Sequence, residues 1–143
     1  MRFLIINGPN LNMLGVREKN LYGTKTLNEI NDEITAFCKG HNAEAEFFQS
    51  NIEGEIINAI HKAASGYDGV VLNAGAYTHY SIAIADAIKS IDTPVVEVHI
   101  TNVQAREDYR KSSVIGESCK GVVAGFGGYS YILGIMALMN ECK

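Results

Sequence analysis

Short apolar runs alternate along the chain with longer segments in which apolar residues recur every three or four positions. Five runs predict β-strands, at residues 3–6, 43–47, 70–72, 95–100 and 122–124. Five segments predict helices, at residues 26–40, 53–65, 81–91, 104–111 and 129–140. Thr26 and Glu29 have the spacing of an N-terminal capping box, and Gly40 is placed to end that helix.

Regular alternation of strands and helices predicts right-handed βαβ units and a parallel sheet covered by helices on both faces. The expected fold class is α/β: a flavodoxin-like, doubly wound, five-stranded sheet with strand order 2-1-3-4-5. The 143 residues fit one domain, which we expect to span residues 1–143.

The residues that follow the strands indicate where a ligand would bind, because open parallel sheets bind ligands at the carboxyl ends of their strands. These positions carry mostly amides, hydroxyls, imidazoles and glycines: Asn7-Gly8-Pro9-Asn10, Gln49-Ser50-Asn51, Asn73 to His79, His99 to Asn102, and Gly125 to Gly128. The pattern predicts a neutral, hydrogen-bonding pocket for a polyhydroxylated small molecule.

Composition narrows the class of protein further. A net charge of −4 argues against a general nucleic-acid or anionic-membrane binder. The first strand runs directly into Asn7-Gly8-Pro9-Asn10, which is not typical of a signal peptide. Three cysteines without metal-ligand spacing predict reduced thiols in a cytoplasmic protein.

Arg17 and Tyr22 lie five positions apart in the first long loop. A guanidinium close to a phenol favours its ionised form and stays charged at every relevant pH. Tyr22 would then serve as a general base. For a single arginine and tyrosine in a loop, however, the residues alone favour a Tyr22 that packs with its rim exposed and an Arg17 that is solvated.

His99 ends the fourth predicted strand, and Glu97 lies two positions earlier on the same strand face. A carboxylate there would orient the imidazole for acid/base work, which the position at the strand end favours over a merely structural histidine. His79 follows the third strand and is a weaker candidate.

Arg106 and Arg110 are four residues apart, and on the predicted helix 104–111 they would share a face able to hold a carboxylate. The alternative is a solvated face paired with Glu107 or Asp108. The third helix is apolar on nearly all sides, which predicts a subunit interface close to Asp86.

Two other classes of protein remain open on residue chemistry. A nucleotide- or flavin-binding module would need a Ser/Thr/Gly phosphate loop after the first strand, where this chain has Asn-Gly-Pro-Asn. A hydrolase would need a nucleophile beside His99, for which Ser50 and Thr101 are the candidates. No lysine lies at a strand end to form a Schiff base, and no metal-ligand spacing occurs.

Four separate blocks of the sequence resemble the type II 3-dehydroquinate dehydratases, and together they cover essentially the whole chain. The blocks are Asn7 to Asn12 with Arg17-Glu18 and Tyr22-Gly23, Gln49 to His61, Asn73 to His79, and Glu97 to Glu107. The resemblance implies dehydration of 3-dehydroquinate to 3-dehydroshikimate through an enolate, without metal, Schiff base or other cofactor.

The resemblance also implies roles for individual residues. Tyr22 is the base, Arg17 supports its ionised form, Asn10 holds the water that stabilises the enolate, and His99 is the acid. The implied substrate-binding groups are Asn73, His79, the backbone amides of Ile100 and Thr101, Arg110, and Asp86 of a neighbouring subunit. Thr101 stands where the family usually has serine. The family assembles as trimers packed into a dodecamer, so a homo-oligomer is expected.

Overall fold

A five-stranded sheet lies at the centre of the computed structural model, which describes residues 1–143. The strands are β1 (Arg2–Asn7), β2 (Glu44–Gln49), β3 (Gly69–Asn73), β4 (Val95–His99) and β5 (Gly121–Ala124). Their order is β2-β1-β3-β4-β5, and every neighbouring pair is parallel. The predicted fold class is therefore confirmed.

Helices cover both faces of the sheet. They are α1 (Lys19–Tyr22), α2 (Leu27–Gly40), α3 (Glu53–Lys62), α4 (Ile82–Lys89) and α5 (Tyr129–Glu141). Residues of α2 and α5 pack into one buried cluster and residues of α3 and α4 into a second, one on each side of the sheet. No helix is long and apolar enough to cross a membrane.

The central strands are apolar at most positions because each supplies both clusters. Phe3 and Ile5 of β1 belong to the α2/α5 cluster, whereas Leu4 and Ile6 belong to the α3/α4 cluster. Successive side chains of a strand point to opposite faces, so a strand covered on both faces favours apolar residues at consecutive positions.

The capping box of α2 is confirmed, and the helix ends at Gly40 as predicted. The Thr26 hydroxyl accepts from the Glu29 backbone N–H, and the Glu29 carboxylate accepts from the Thr26 backbone N–H. Gly40 is the last helical residue, and the left-handed turn follows at Asn42, with φ of 53°. Asparagine tolerates this region better than most residues, so Asn42 takes the role expected of glycine.

The predicted helix over residues 104–111 is wrong. The segment forms two single 3₁₀ turns, Val103–Ala105 and Asp108–Arg110. Arg106 and Glu107 between them have extended backbone (ψ of −163° and 148°), so Arg106 and Arg110 do not share a helix face. The Asn102 side chain accepts from the Gln104 N–H, a local bond that favours a turn.

Candidate active site

A crevice of about 100 Å³ opens at the carboxyl ends of β1, β3 and β4. Nine of the ten predicted site residues line it: Asn10, Arg17, Tyr22, Asn73, His79, His99, Ile100, Thr101 and Arg110. The tenth, Asp86, lies on the exposed side of α4 and does not reach this crevice. Arg106 also lines the crevice.

The phenol of Tyr22 lies between two arginines. Its hydroxyl accepts a hydrogen bond of 2.8 Å from Arg106 Nη1. Arg17 lies over the ring instead, with its guanidinium carbon 4.9 Å from the ring centroid, and pairs with the Glu18 carboxylate. The cation that contacts the phenol oxygen is therefore Arg106.

The spacing in the first loop predicts contact of Tyr22 with Arg17, and the spacing of Arg106 and Arg110 predicts only an anion site. The two residues that meet are 84 positions apart, so no local spacing could have linked them. One signal in the sequence could have linked them. Arg106 follows closely after β4 and Tyr22 lies in the loop after β1, so both are expected at the edge of the sheet where the carboxyl ends of the strands lie.

Two buried leucines anchor the loop that presents Arg17 and Tyr22. Leu11 and Leu14 are 4% and 2% exposed and pack into the α2/α5 cluster, so the loop is fixed to the core just before Arg17. Gly15 then turns the chain with φ of 82°; a Cβ there would lie 2.8 Å from the Thr24 carbonyl oxygen. Glycine is required at this turn because both the conformation and the space exclude a side chain.

His99 is backed by a carboxylate that is fully buried. His99 Nε2 lies 2.8 Å from Glu97 Oε1, and the same carboxylate accepts from the hydroxyls of Thr78 (2.8 Å) and Ser113 (2.9 Å). Burial acts to raise the pKa of the Glu97 carboxyl, but the bond and charge of His99 and the two hydroxyls hold it below its ordinary value. An ionised carboxylate only accepts, so Nε2 carries a proton and Nδ1 is left for the crevice.

His79 presents Nε2 to the crevice, whereas His99 presents Nδ1. His79 Nδ1 lies 2.7 Å from the Ser112 carbonyl oxygen, which can only accept. Nδ1 is therefore protonated, and Nε2 is the nitrogen available to a molecule in the crevice.

The backbone after β4 supplies two further donors. The N–H groups of Ile100 and Thr101 donate to no other protein group, although both residues are buried. Buried N–H groups normally have a partner, so this pair is suited to an anionic oxygen such as a carboxylate.

Three guanidinium groups give the crevice its charge. Arg17, Arg106 and Arg110 line it, while Glu18 and Glu107 pair with them. The only carboxylate in contact with the crevice histidines, Glu97, lies behind His99. The arrangement favours a small anion that also carries hydroxyl groups. No three His, Cys, Asp or Glu side chains converge to hold a metal ion.

The candidate hydrolase nucleophiles are not activated. The Ser50 hydroxyl bonds to the Glu55 carboxylate and accepts from the Ile52 N–H, and it does not line the crevice. Thr101 Oγ1 accepts a long contact of 3.5 Å from Arg106 Nη1 and has no hydrogen bond to His99. Neither hydroxyl is hydrogen-bonded to His99, the base that a nucleophile in this crevice would need.

Comparison with known proteins gives one consistent result. The family described as dehydroquinase class II matches residues 1–139. A 3-dehydroquinate dehydratase of Clostridium perfringens is 52% identical over 144 residues, covering 100% of both chains. A 3-dehydroquinate dehydratase of Clostridium acetobutylicum is 54% identical over 144 residues, covering 98% of this chain and 97% of its own.

Solved structures agree with the sequences. A type II dehydroquinase from Butyrivibrio crossotus superimposes with a TM-score of 0.95 at 48% identity, covering 97% of each chain. A 3-dehydroquinate dehydratase-like protein from Bifidobacterium longum gives a TM-score of 0.74 at 28% identity, covering 99% of this chain and 98% of its own. Matched along nearly its whole length in sequence and in fold, this chain belongs to the class II dehydroquinase family.

Proposed function

We propose that the crevice is the active site at which this chain dehydrates 3-dehydroquinate to 3-dehydroshikimate, through an enolate. The observation that carries the proposal is the presence of two distinct proton-transfer groups in one crevice. Tyr22 is in contact with the Arg106 guanidinium, and His99 is in contact with the buried Glu97 carboxylate. One removes a proton beside the ketone, and the other protonates the departing hydroxyl.

Tyr22 is the base, and two arginines support its ionised form. Removal of a proton next to a ketone needs a strong base, and a phenolate is one. The Arg106 charge at 2.8 Å from the hydroxyl and the Arg17 charge over the ring would both stabilise negative charge on the phenol oxygen. Arginine remains charged throughout the reaction, so neither group loses its effect as the proton moves.

The enolate oxygen needs a partner as negative charge develops on it. Asn10 lines the crevice in a left-handed conformation with φ of 68°, and its backbone N–H donates to the Asn51 side chain at 3.0 Å. We assign Asn10 the holding of a water molecule against the enolate. The neutral amide stabilises that water without protonating the oxygen itself.

His99 is the acid. Glu97 holds the protonated Nε2, so an imidazolium at this position has its second proton on Nδ1, toward the crevice. The buried negative charge of Glu97 stabilises that imidazolium, because a charge pair is strong where water is excluded. Loss of the β-hydroxyl then proceeds as water.

The remaining crevice groups fix the substrate. The Ile100 and Thr101 amides take its carboxylate, Asn73 and His79 bind its oxygens, and Arg110 contacts its ring hydroxyls. The crevice combines neutral amide, hydroxyl and imidazole groups with three guanidinium groups, which suits a polyhydroxylated molecule of single negative charge.

The exposed surface beside α4 supports an oligomer. Ile82, Tyr80 and Ile52 are 69%, 62% and 59% exposed, and the Ser81–Glu53 hydrogen bond of 2.6 Å brings their segments together. An apolar patch of this kind is typical of an interface. We propose trimers that pack into a dodecamer, with Asp86 reaching a neighbouring crevice. The three free cysteines support a cytoplasmic location, where thiols stay reduced.

The test is a direct assay that follows the enone absorbance formed from 3-dehydroquinate. Tyr22→Phe and His99→Ala should each lower kcat by about 10²- to 10⁴-fold, the usual contribution of a positioned acid or base. Tyr129→Phe is the matched control, because Tyr129 is 54% exposed and does not line the crevice. An inactive wild-type protein, or a fully active Tyr22→Phe variant, would contradict the proposal.

A further inference from the structure

Tyr131 of α5 is a fully buried tyrosine whose hydroxyl lies between the asparagines that end β1 and β3. It is 0% exposed, and Asn7 and Asn73 are 1% and 3% exposed. Tyr131 donates to Asn7 Oδ1 at 2.5 Å and accepts from Asn73 Nδ2 at 2.9 Å. The two asparagines are direct partners in the β1–β3 register, so one hydroxyl reaches both.

A backbone group fixes which way the Asn73 amide points. The Gly75 N–H donates to Asn73 Oδ1 at 3.2 Å, and a backbone N–H can only donate. The atom facing Gly75 is therefore the oxygen, and the atom facing Tyr131 is the nitrogen. Tyr131 must then accept from Asn73 and give its own proton to Asn7. Burial raises the pKa of Tyr131, so the hydroxyl keeps that proton.

We propose that Tyr131 is a positioning residue for substrate binding, because it holds the Asn73 amide so that only an N–H donor is presented to the crevice. Asn73 Nδ2 has two hydrogens; one goes to Tyr131, and the protein supplies no partner for the other. The position selects an acceptor, a carboxylate or hydroxyl oxygen, on the bound molecule. This inference rests on the proposed role of Asn73 in substrate binding.

Without the Tyr131 hydroxyl, the Asn73 nitrogen loses its buried acceptor, and only the 3.2 Å bond from the Gly75 N–H still distinguishes the amide nitrogen from the oxygen. The amide is then held less firmly, and any flipped population places the Asn73 oxygen toward the substrate oxygens. Tyr131→Phe should therefore raise KM by about 3- to 10-fold, the worth of one hydrogen bond, with little change in kcat.

The experiment is a double-mutant cycle on KM with wild type, Tyr131→Phe, Asn73→Ala and the pair of substitutions together. If Tyr131 acts through Asn73, the pair has the same KM as Asn73→Ala alone. Tyr129→Phe, in the same helix, is the control for loss of a tyrosine hydroxyl and should leave KM unchanged. If Tyr131 had only a structural role, the KM increases of the two single variants would instead multiply in the double variant.

Asn7→Ala tests the same arrangement in a second way, because it removes the acceptor of the Tyr131 proton. The Tyr131 hydroxyl is then free to donate to the oxygen of a flipped Asn73 amide. The smaller rise in KM caused by Asn7→Ala should also disappear in the Asn73→Ala background. The inference would be overturned if Tyr131→Phe left KM unchanged, or if the effects of Tyr131→Phe and Asn73→Ala on KM were independent of each other. Turnover by the wild-type protein would in that case still support the proposed reaction. Absence of wild-type turnover would instead overturn the proposed function, and with it the premise of this inference.

Discussion

Tyr22 and His99, the proposed base and acid, contact fixed charges of opposite sign. The guanidinium of Arg106 is the counter-charge for a negative phenol oxygen, and the carboxylate of Glu97 is the counter-charge for a positive imidazole ring. The two contacts therefore support the proposed division of these residues into a base and an acid.

At the residue scale, Arg106 is separable from Arg17 by experiment. Arg106→Gln keeps a hydrogen-bond donor beside Tyr22 but removes the charge, so in the proposed mechanism a negative phenol oxygen loses its nearest counter-charge. We expect kcat to fall at least about tenfold, the scale of one charge-assisted bond. The measurement is kcat of the variant beside that of wild type and of Arg106→Lys, which keeps the charge. An equal loss in both variants would show that the charge of Arg106 is not what supports the reaction.

At the element scale, the short turns after β4 matter more than a helix would. Because residues 103–110 break at Arg106 and Glu107, Arg106 turns to Tyr22 while Arg110 pairs with Glu107 at 3.0 Å. A continuous helix would have set both arginines on one face, four residues apart. The break therefore lets two cations serve different atoms of one crevice.

The edge strand β2 is joined to α3 by an ion pair that should respond to acid. Hydrogen bonds from Lys62 and then Tyr67 lower the pKa of the Glu46 carboxyl from 4.5 to about 2. A lowered pKa in the folded state stabilises the protein above the unfolded value, and this contribution is lost as the pH falls from 4.5 through about 2. The pair is partly exposed, so its worth is limited by solvent screening.

Glu46→Gln should lower the free energy of unfolding at pH 7 by about 0.5–1 kcal/mol, a screened surface value. The difference from wild type should shrink steadily below pH 4.5. Urea unfolding at pH 7, 4 and 3 measures it. Glu44→Gln on the same strand is the control, since Glu44 has no ion pair. A difference that stays constant with pH would contradict the assignment.

At the scale of the whole molecule, Asp86 is the one predicted site residue that this chain does not bring to its own crevice. It is exposed on α4, close in sequence to the apolar patch of Ile82 and Tyr80. An active site completed by a neighbour would account for both features. It would also make activity depend on assembly.

Complementation between variants tests that arrangement. Tyr22→Phe and Asp86→Ala are each expected to be impaired, but a mixed oligomer contains sites with an intact Tyr22 from one chain and an intact Asp86 from the next. Random 1:1 mixing in a cyclic assembly makes about a quarter of the sites complete. Co-expression followed by assay should therefore give about a quarter of wild-type kcat. A mixture no more active than the mean of its parents would show that Asp86 does not cross the interface.

The local pattern determined the five strands, four of the five predicted helices and the edge of the sheet at which the crevice lies. Strand order, the capping box at Thr26 and the crevice position of Tyr22 and His99 follow from periodicity and from the rule for parallel strands. The pairing of His99 with Glu97 was also accessible, because residues two apart on a strand share a face.

Only the tertiary structure decided which groups touch across long separations. Arg106 reaches Tyr22 over 84 residues, and Tyr131 reaches Asn7 over 124. Such contacts are set by sheet register and helix packing, which bring together side chains that no local sequence pattern links. Likewise, the break at Arg106 and Glu107 depends on local hydrogen bonds that a charge pattern does not encode.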